Sequence, residues 1–276
     1  MTKVKDYWDD PRIESMYDKH LLNLEIELIS SYIPDKSVIL DAGCGEGEGT
    51  LVYSVNPANT VHAVDFSGTR LDMARKRLAG AKNVIFEQVD FLKDTVRHNT
   101  YDIVISQRML INIIDWELQK RIIRNLMNSL KLGGRLLMLE GSMKGVRELN
   151  EVRAAFDLKP IPVKWHNLFF EDNDLDNFMR SEGHKFLKKG GFGEYFVLTR
   201  AVRPYFDSEL NWDCDFNMAA ASNRMRIMGL NNQCSRLKLW VWEKQYVSCP
   251  KCGKKAVFVE EFDSYGCLSC AYKFKI

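Results

Sequence analysis

Three aspartates, Asp41, Asp65 and Asp90, each close a short apolar run within the first hundred residues. The runs are Val38-Ile39-Leu40, Val61 to Val64 and Val84 to Val89. A fourth, Tyr101 to Ser106, ends on a hydroxyl. In open parallel sheets ligands bind beyond the carboxyl ends of the strands, so polar side chains there form the rim of a crevice. A carboxylate in that position accepts hydrogen bonds from sugar hydroxyls or a nucleobase amine. A second cluster lies far down the chain. Cys249 and Cys252, then Cys267 and Cys270, form two C-x-x-C pairs separated by fourteen residues. That short spacing lets both thiolates of a pair bind one tetrahedral ion, and Gly253 relieves the turn after the first pair.

The loop after Asp41 narrows the choice of ligand. Asp41-Ala42-Gly43-Cys44-Gly45-Glu46-Gly47 follows a strand, as a dinucleotide fingerprint would. Starting at Gly43 and Gly45, that fingerprint needs a small residue where Glu48 stands; starting at Gly45 and Gly47, it needs glycine where Thr50 stands. It fails in both frames. A pyrophosphate also wants the positive end of a helix free of anions, and Glu46 and Glu48 sit there. S-adenosylmethionine has no phosphate, carries an ammonium and a sulfonium, and suits acidic neighbours. The expected cofactor site is Asp41, Gly43, Gly45 and Gly47 in the loop; Asp65 for the ribose hydroxyls, followed by Phe66; Asp90 for the adenine amino group; Phe91 over the base; and Ser106 on the same rim.

The elements that must carry these residues follow from periodicity. Ile13, Met16, Tyr17, Leu21, Leu24 and Leu28 recur at helical spacing, predicting a helix from Ile13 to Ile33 within an N-terminal cap (1–34). Gly68 to Leu78 and Trp116 to Leu130 read as helices, the second capped by Gly133 and Gly134. Arg135 to Glu140 is a fifth strand. Short apolar strands alternating with helices imply a parallel sheet covered on both faces. The alternation stops after Gly141, so about 142–235 reads as a substrate-facing helical insertion inside a domain spanning 35–244. Tyr195 to Leu198 is a candidate sixth strand, Phe216 to Met228 a helix, and Leu237 to Trp242 the last strand. Residues 245–276 form the four-cysteine appendage.

The motifs together resemble the class I S-adenosylmethionine-dependent methyltransferase family. VILDAGCGEGEGT resembles its first motif, HAVDFSGTRLDMARKRL its second and FEQVDF its third; YDIVISQRMLINI and LKLGGRLLMLE resemble the fourth and fifth. The resemblance is close over 30–142 and looser over 5–245. It implies an α/β, Rossmann-like sheet of seven strands whose last runs antiparallel, transfer of a methyl group from S-adenosylmethionine, and an N-terminal helix over the site, with Tyr17 as a lid on the cofactor or else a core residue. LEGSMKGVRELNEVRAAFDLKPIPVKWHNLFF is similar to bacterial methyltransferases associated with surface-polysaccharide and secondary-metabolite pathways, which fixes no acceptor.

An oxygen acceptor of high pKa needs a base. His166, in Trp165-His166-Asn167, is the first candidate, against a structural role. Glu140, ending the fifth strand, is the second, against a carboxylate bonded to backbone or to Arg153. Arg108 could hold an anionic acceptor or the cofactor carboxylate, or form a salt bridge. The other histidines show no partner pattern.

Hydrophobic content of 46%, charged content of 28% and a net charge of +2 describe an ordinary globular chain without a strong field for nucleic acid or an anionic membrane. No apolar stretch is long enough to span a bilayer, and the polar start has no signal-peptide character, so a cytoplasmic location is expected. With no export signal, the clustered cysteines read as ligands of a structural Zn2+, with iron the alternative. The ribbon's five lysines are nearly balanced by its acids and by four thiolates on a divalent ion. Its aromatics Phe258, Tyr265, Tyr272 and Phe274 fill a small core or stack bases. The expected activity is O-methylation of a small molecule or glycan-linked acceptor, with the ribbon in a structural or homo-oligomer contact. The alternative is an RNA methyltransferase that docks its substrate through the ribbon.

Overall fold

The computed structural model describes residues 2–207, 211–222, 229–249, 251–262 and 264–275. Seven strands make the main sheet: β1 (Val38–Ala42), β2 (Thr60–Asp65), β3 (Val84–Gln88), β4 (Tyr101–Gln107), β5 (Leu130–Gly141), β6 (Lys185–Gly191) and β7 (Leu237–Glu243). Their order is β3-β2-β1-β4-β5-β7-β6. The first five run parallel, and β7 is antiparallel to both β5 and β6. Strand order reverses between β1 and β4, which opens a crevice at their carboxyl ends.

The helices are α1 (Thr2–Asp9), α2 (Lys19–Ser30), α3 (Glu48–Tyr53), α4 (Gly68–Arg77), α5 (Trp116–Ser129), α6 (Met143–Ala155), α7 (Asp172–Ser181), α8 (Gly193–Val197), α9 (Arg203–Phe206) and α10 (Asp215–Ala221). Side chains alternate across a strand, so each strand feeds two cores. Leu40, Val104, Leu136 and Met138 pack with Ile122, Ile123 and Leu126 of α5. Ile39, Ile103, Ile105, Leu137 and Leu139 pack with Leu21, Leu22, Ile26 and Ile29 of α2 on the other face. Both helices begin at an aspartate: Asp18 accepts from the Leu21 N–H and Asp115 from the Leu118 N–H, satisfying donors the first turn leaves open.

Four local expectations change. The N-terminal segment holds two helices rather than one, with Ile13, Met16 and Tyr17 outside both. Asp18 stops the second from extending backward by capping it at Lys19. Tyr195 to Leu198 is helical, and the sixth strand is Lys185–Gly191. That strand pairs with β7 alone, and its lysines are what an exposed sheet edge uses to block further pairing, so it lacks the apolar look of a strand. Gly133 and Gly134 do not cap α5, which passes directly into β5 at Leu130; Gly133, at φ 74°, lies in the irregular start of that strand. The helix expected over Phe216 to Met228 is present as Asp215–Ala221, and 223–228 lie outside the described residues.

The C-terminal segment forms its own antiparallel sheet of β8 (Val247–Ser248), β9 (Lys255–Val259), β10 (Ser264–Cys267) and β11 (Lys273–Phe274), ordered β11-β10-β9-β8. Its start is pinned by buried Lys244, whose ammonium donates to the Asn99 side chain and to the carbonyls of Asn128 and Leu130. Burial pulls that group down to about 8.

Candidate active site

A cavity of about 800 Å³ opens at the carboxyl ends of β1 and β4. Its walls include Tyr17, Asp41, Gly43, Gly45, Asp65, Phe66, Asp90, Phe91, Arg108 and His166. Ten of the predicted site residues therefore meet at one place. Gly47, Ser106 and Glu140 are not in the wall. Gly47, at φ 77°, begins α3, and a Cβ on it would strike Leu78 at 2.7 Å, so it serves the close packing of the loop on α4. Gly45, at φ 54°, is different: a Cβ there would meet no protein atom within 4 Å, and the space beside it belongs to the cavity.

Asp65 is the best-placed acceptor. One carboxylate oxygen takes the Gly45 N–H at 3.0 Å and the other the Ser67 N–H at 2.9 Å. A carboxylate accepts more bonds than these two, so capacity remains for a vicinal diol at its edge. Burial raises its pKa against those hydrogen bonds. Asp41 accepts from the Thr50 hydroxyl at 2.6 Å, and burial pushes it up to about 6. Phe91 lies almost fully buried in the wall, an apolar face for a base. A partly satisfied diol acceptor, an open space over a positive-φ glycine and acidic neighbours fit S-adenosylmethionine.

The acidic loop is not left bare. Glu46 is ion-paired with Arg70, and Glu48 with Arg77 at 3.4 Å and Lys19 at 3.3 Å. Arg70 also donates to the carbonyls of Trp8, Asp10 and Ile13. It thus staples the N-terminal segment over the loop, a role the sequence reading missed. Asp90 is ion-paired with Lys5 of α1, which closes the same roof from the other side. Tyr17 is 58% exposed at the cavity edge, so it is not a core residue.

His166 sits beneath that roof. Its ring stacks on Tyr7 at 4.6 Å and meets the edges of Trp8 and Trp165 at 5.4 and 5.2 Å. Its Nδ1 is buried without a hydrogen-bond partner among the described residues. Burial first, and the charge of Lys164 second, hold the imidazole below its ordinary pKa, which favours the neutral ring. Glu140 has a different setting. It is fully buried and accepts from the Ser106 hydroxyl at 2.6 Å and from the N–H groups of Met109, Leu110 and Ile111. Burial pushes it up to about 7 against these bonds. It fixes the turn after β4, and Arg153 is not among its partners. Ser106 is spent on the same network. Arg108, at φ 54°, pairs with buried Glu25 at 3.0 Å and donates to the Ser15 carbonyl.

In the ribbon, the sulfurs of Cys249, Cys252, Cys267 and Cys270 lie within 4.8 Å of one another, a set that could hold one metal ion. The N–H groups of Ser269 and Cys270 point at the Cys267 sulfur at 3.4 Å. Tyr265 and Phe274 pack on the small core, and the Phe258 side chain lies outside what is described. Tyr272 is half exposed, but Lys251 lies over its ring.

Residues 39–134 match the family model described as a methyltransferase domain. The phosphoethanolamine N-methyltransferase of Plasmodium falciparum is 26% identical over 106 residues, 38% of this chain and 40% of that protein. The demethylmenaquinone methyltransferase of Staphylococcus aureus is 26% identical over 126 residues, 45% of this chain and 51% of that protein. The chain thus spans about half or less of the curated relatives it matches. The whole fold is similar to a chain from the complex between the Haloferax volcanii Trm112 methyltransferase activator and a methyltransferase, with a TM-score of 0.61, 13% identity, and coverage of 88% of this chain and 98% of that one. No helix among the described residues is long and apolar enough to cross a membrane.

Proposed function

We propose that this chain, whose residues 39–134 carry a methyltransferase domain of the S-adenosylmethionine-dependent class, O-methylates a small molecule or glycan-linked acceptor. The observation that carries this reading is the roofed cavity. Asp65, a carboxylate with acceptor capacity left, and His166, an imidazole held below its ordinary pKa, both line it, and Tyr7 and Trp8 of α1 pack on the His166 ring. A concave site of about 800 Å³, partly covered by α1, suits a small acceptor better than a polymer surface. Bound S-adenosylmethionine supplies a methyl group already activated by its sulfonium.

The protein then has to align the acceptor and keep water out. Asp65 and Phe91 fix the cofactor's nucleoside end; α1, held by Arg70 and Lys5, closes the site. His166 accepts the acceptor hydroxyl's proton as the oxygen attacks, a role matched to an imidazole whose surroundings favour its neutral form.

In the ribbon we assign the four thiols to one structural Zn2+, because four protein ligands leave no open position for chemistry. Chelation is expected to unfold 245–276, seen as fast amide exchange there, while S-adenosylhomocysteine affinity of the core changes less than about twofold. An RNA acceptor docked on the ribbon is the second reading. Against it, the ribbon's exposed rings are covered by its own lysines, Tyr272 by Lys251 and Phe262 by Lys273.

The test is incubation with methyl-labelled S-adenosylmethionine and fractionated cell extract, with Asp41→Ala as the blank. Label in the small-molecule or glycan fraction supports the proposal. Label confined to RNA would replace it with the second reading.

A further inference from the structure

The charges lining the cavity are mostly matched in pairs: Lys5 with Asp90, Arg70 with Glu46, Arg108 with Glu25, and Arg200 with Asp18 at 2.5 Å. Two guanidiniums are exceptions. Arg153 of α6 donates only to main chain, from Nε and Nη2 to the Lys159 carbonyl at 2.8 and 2.7 Å and from Nη1 to the Arg200 carbonyl. Arg236 donates to the Pro162 carbonyl at 3.2 Å, and its Nε is buried without a partner. Among the described residues neither meets a carboxylate. Both line the cavity, as does Lys164, two residues before His166.

Partly buried like charges are costly unless something neutralises them. The cost is visible: burial, then the fields of Arg200 and Arg153, pull Arg236 down to about 10, and burial, then Arg200, pulls Arg153 down as well. Guanidinium forks match the oxygens of a phosphate in a way an ammonium does not, and both arginines have N–H groups to spare.

We propose that the acceptor is a phosphate monoester whose dianion seats between Arg153 and Arg236, leaving its hydroxyl toward His166. This rests on reading the cavity as a methyltransferase site and names the class of acceptor. Two uncompensated positive charges call for a dianion rather than a single carboxylate. The cavity is then divided, with acidic groups toward the cofactor's cationic sulfonium and amine and basic groups toward an anionic acceptor.

The test is titration calorimetry of the full chain with inorganic phosphate at constant ionic strength, with and without S-adenosylhomocysteine, and with acetate as the carboxylate probe. Saturable phosphate binding is expected, weakened about tenfold or more by Arg236→Ala or Arg153→Ala and partly kept by Arg236→Lys. The variants should keep wild-type circular dichroism and S-adenosylhomocysteine affinity. Phosphate binding that is absent, or indifferent to both arginines, overturns the proposal while cofactor binding is intact. Acetate binding as tight as phosphate overturns it in favour of a carboxylate acceptor. Failure of the wild-type chain to bind S-adenosylhomocysteine would instead remove the methyltransferase reading beneath it.

Discussion

The two halves of the cavity are built from different kinds of contact. The cofactor half is local: Asp41, the glycine loop, Asp65 and Asp90 come from consecutive strand ends, and Asp65 accepts from Gly45 and Ser67 nearby. The acceptor half is assembled over long distances. Asp18 takes Tyr195 at 2.7 Å and Arg200 at 2.5 Å, and Arg153 reaches the Arg200 carbonyl. The fold thus fixes a cofactor site by its own topology, and acceptor recognition is added through side chains far apart in sequence.

The largest effect expected is on chemistry alone. His166→Gln should lower kcat about 10²–10⁴-fold, leaving S-adenosylhomocysteine affinity within about twofold. Because burial and Lys164 depress the imidazole, the basic form persists below the ordinary histidine value. The wild-type rate should therefore hold to below the ordinary histidine value before it falls, and this acid limb should be absent from the variant. A rate that falls already above pH 7 would point to another base. Glu140→Ala comes next, costing about 3 kcal/mol or more in urea unfolding because four donors lose their acceptor. Its residual activity should keep the wild-type pH profile; loss of the acid limb would restore Glu140 as the base.

Much of this contrast follows from what short-range sequence can encode. The parallel strands β1 to β5 and the aspartates at their ends were legible because glycine, aspartate and apolar runs fall within a few residues of each other, whereas the count of seven strands and the antiparallel β7 came with the family resemblance. The Lys185–Gly191 strand was not, because an edge strand rich in lysine has no apolar alternation. Nor was α1, whose contribution lies in Lys5, Tyr7 and Trp8 meeting Asp90, His166 and Asn112. Arg153, Arg200 and Arg236 carry no spacing signal at all. For Glu140 the sequence leaves two uses of a strand-end carboxylate open, since its burial and its backbone donors come from the fold.

Smaller effects sharpen the division between halves. Asp65→Ala should weaken S-adenosylhomocysteine binding about 10–100-fold, read by calorimetry, while phosphate binding is unchanged. Lys5→Ala removes a partly exposed ion pair and should cost the roof no more than about 1 kcal/mol, seen as a change of at most about fivefold in S-adenosylhomocysteine dissociation rate.

The most direct measurement is a crystal structure of the chain with S-adenosylhomocysteine and phosphate. The account predicts the ribose hydroxyls on Asp65, the adenine against Phe91, and phosphate between Arg153 and Arg236, with the thioether sulfur facing His166 across the space between. A nucleoside lying elsewhere, or a sulfur turned away from His166, would contradict it.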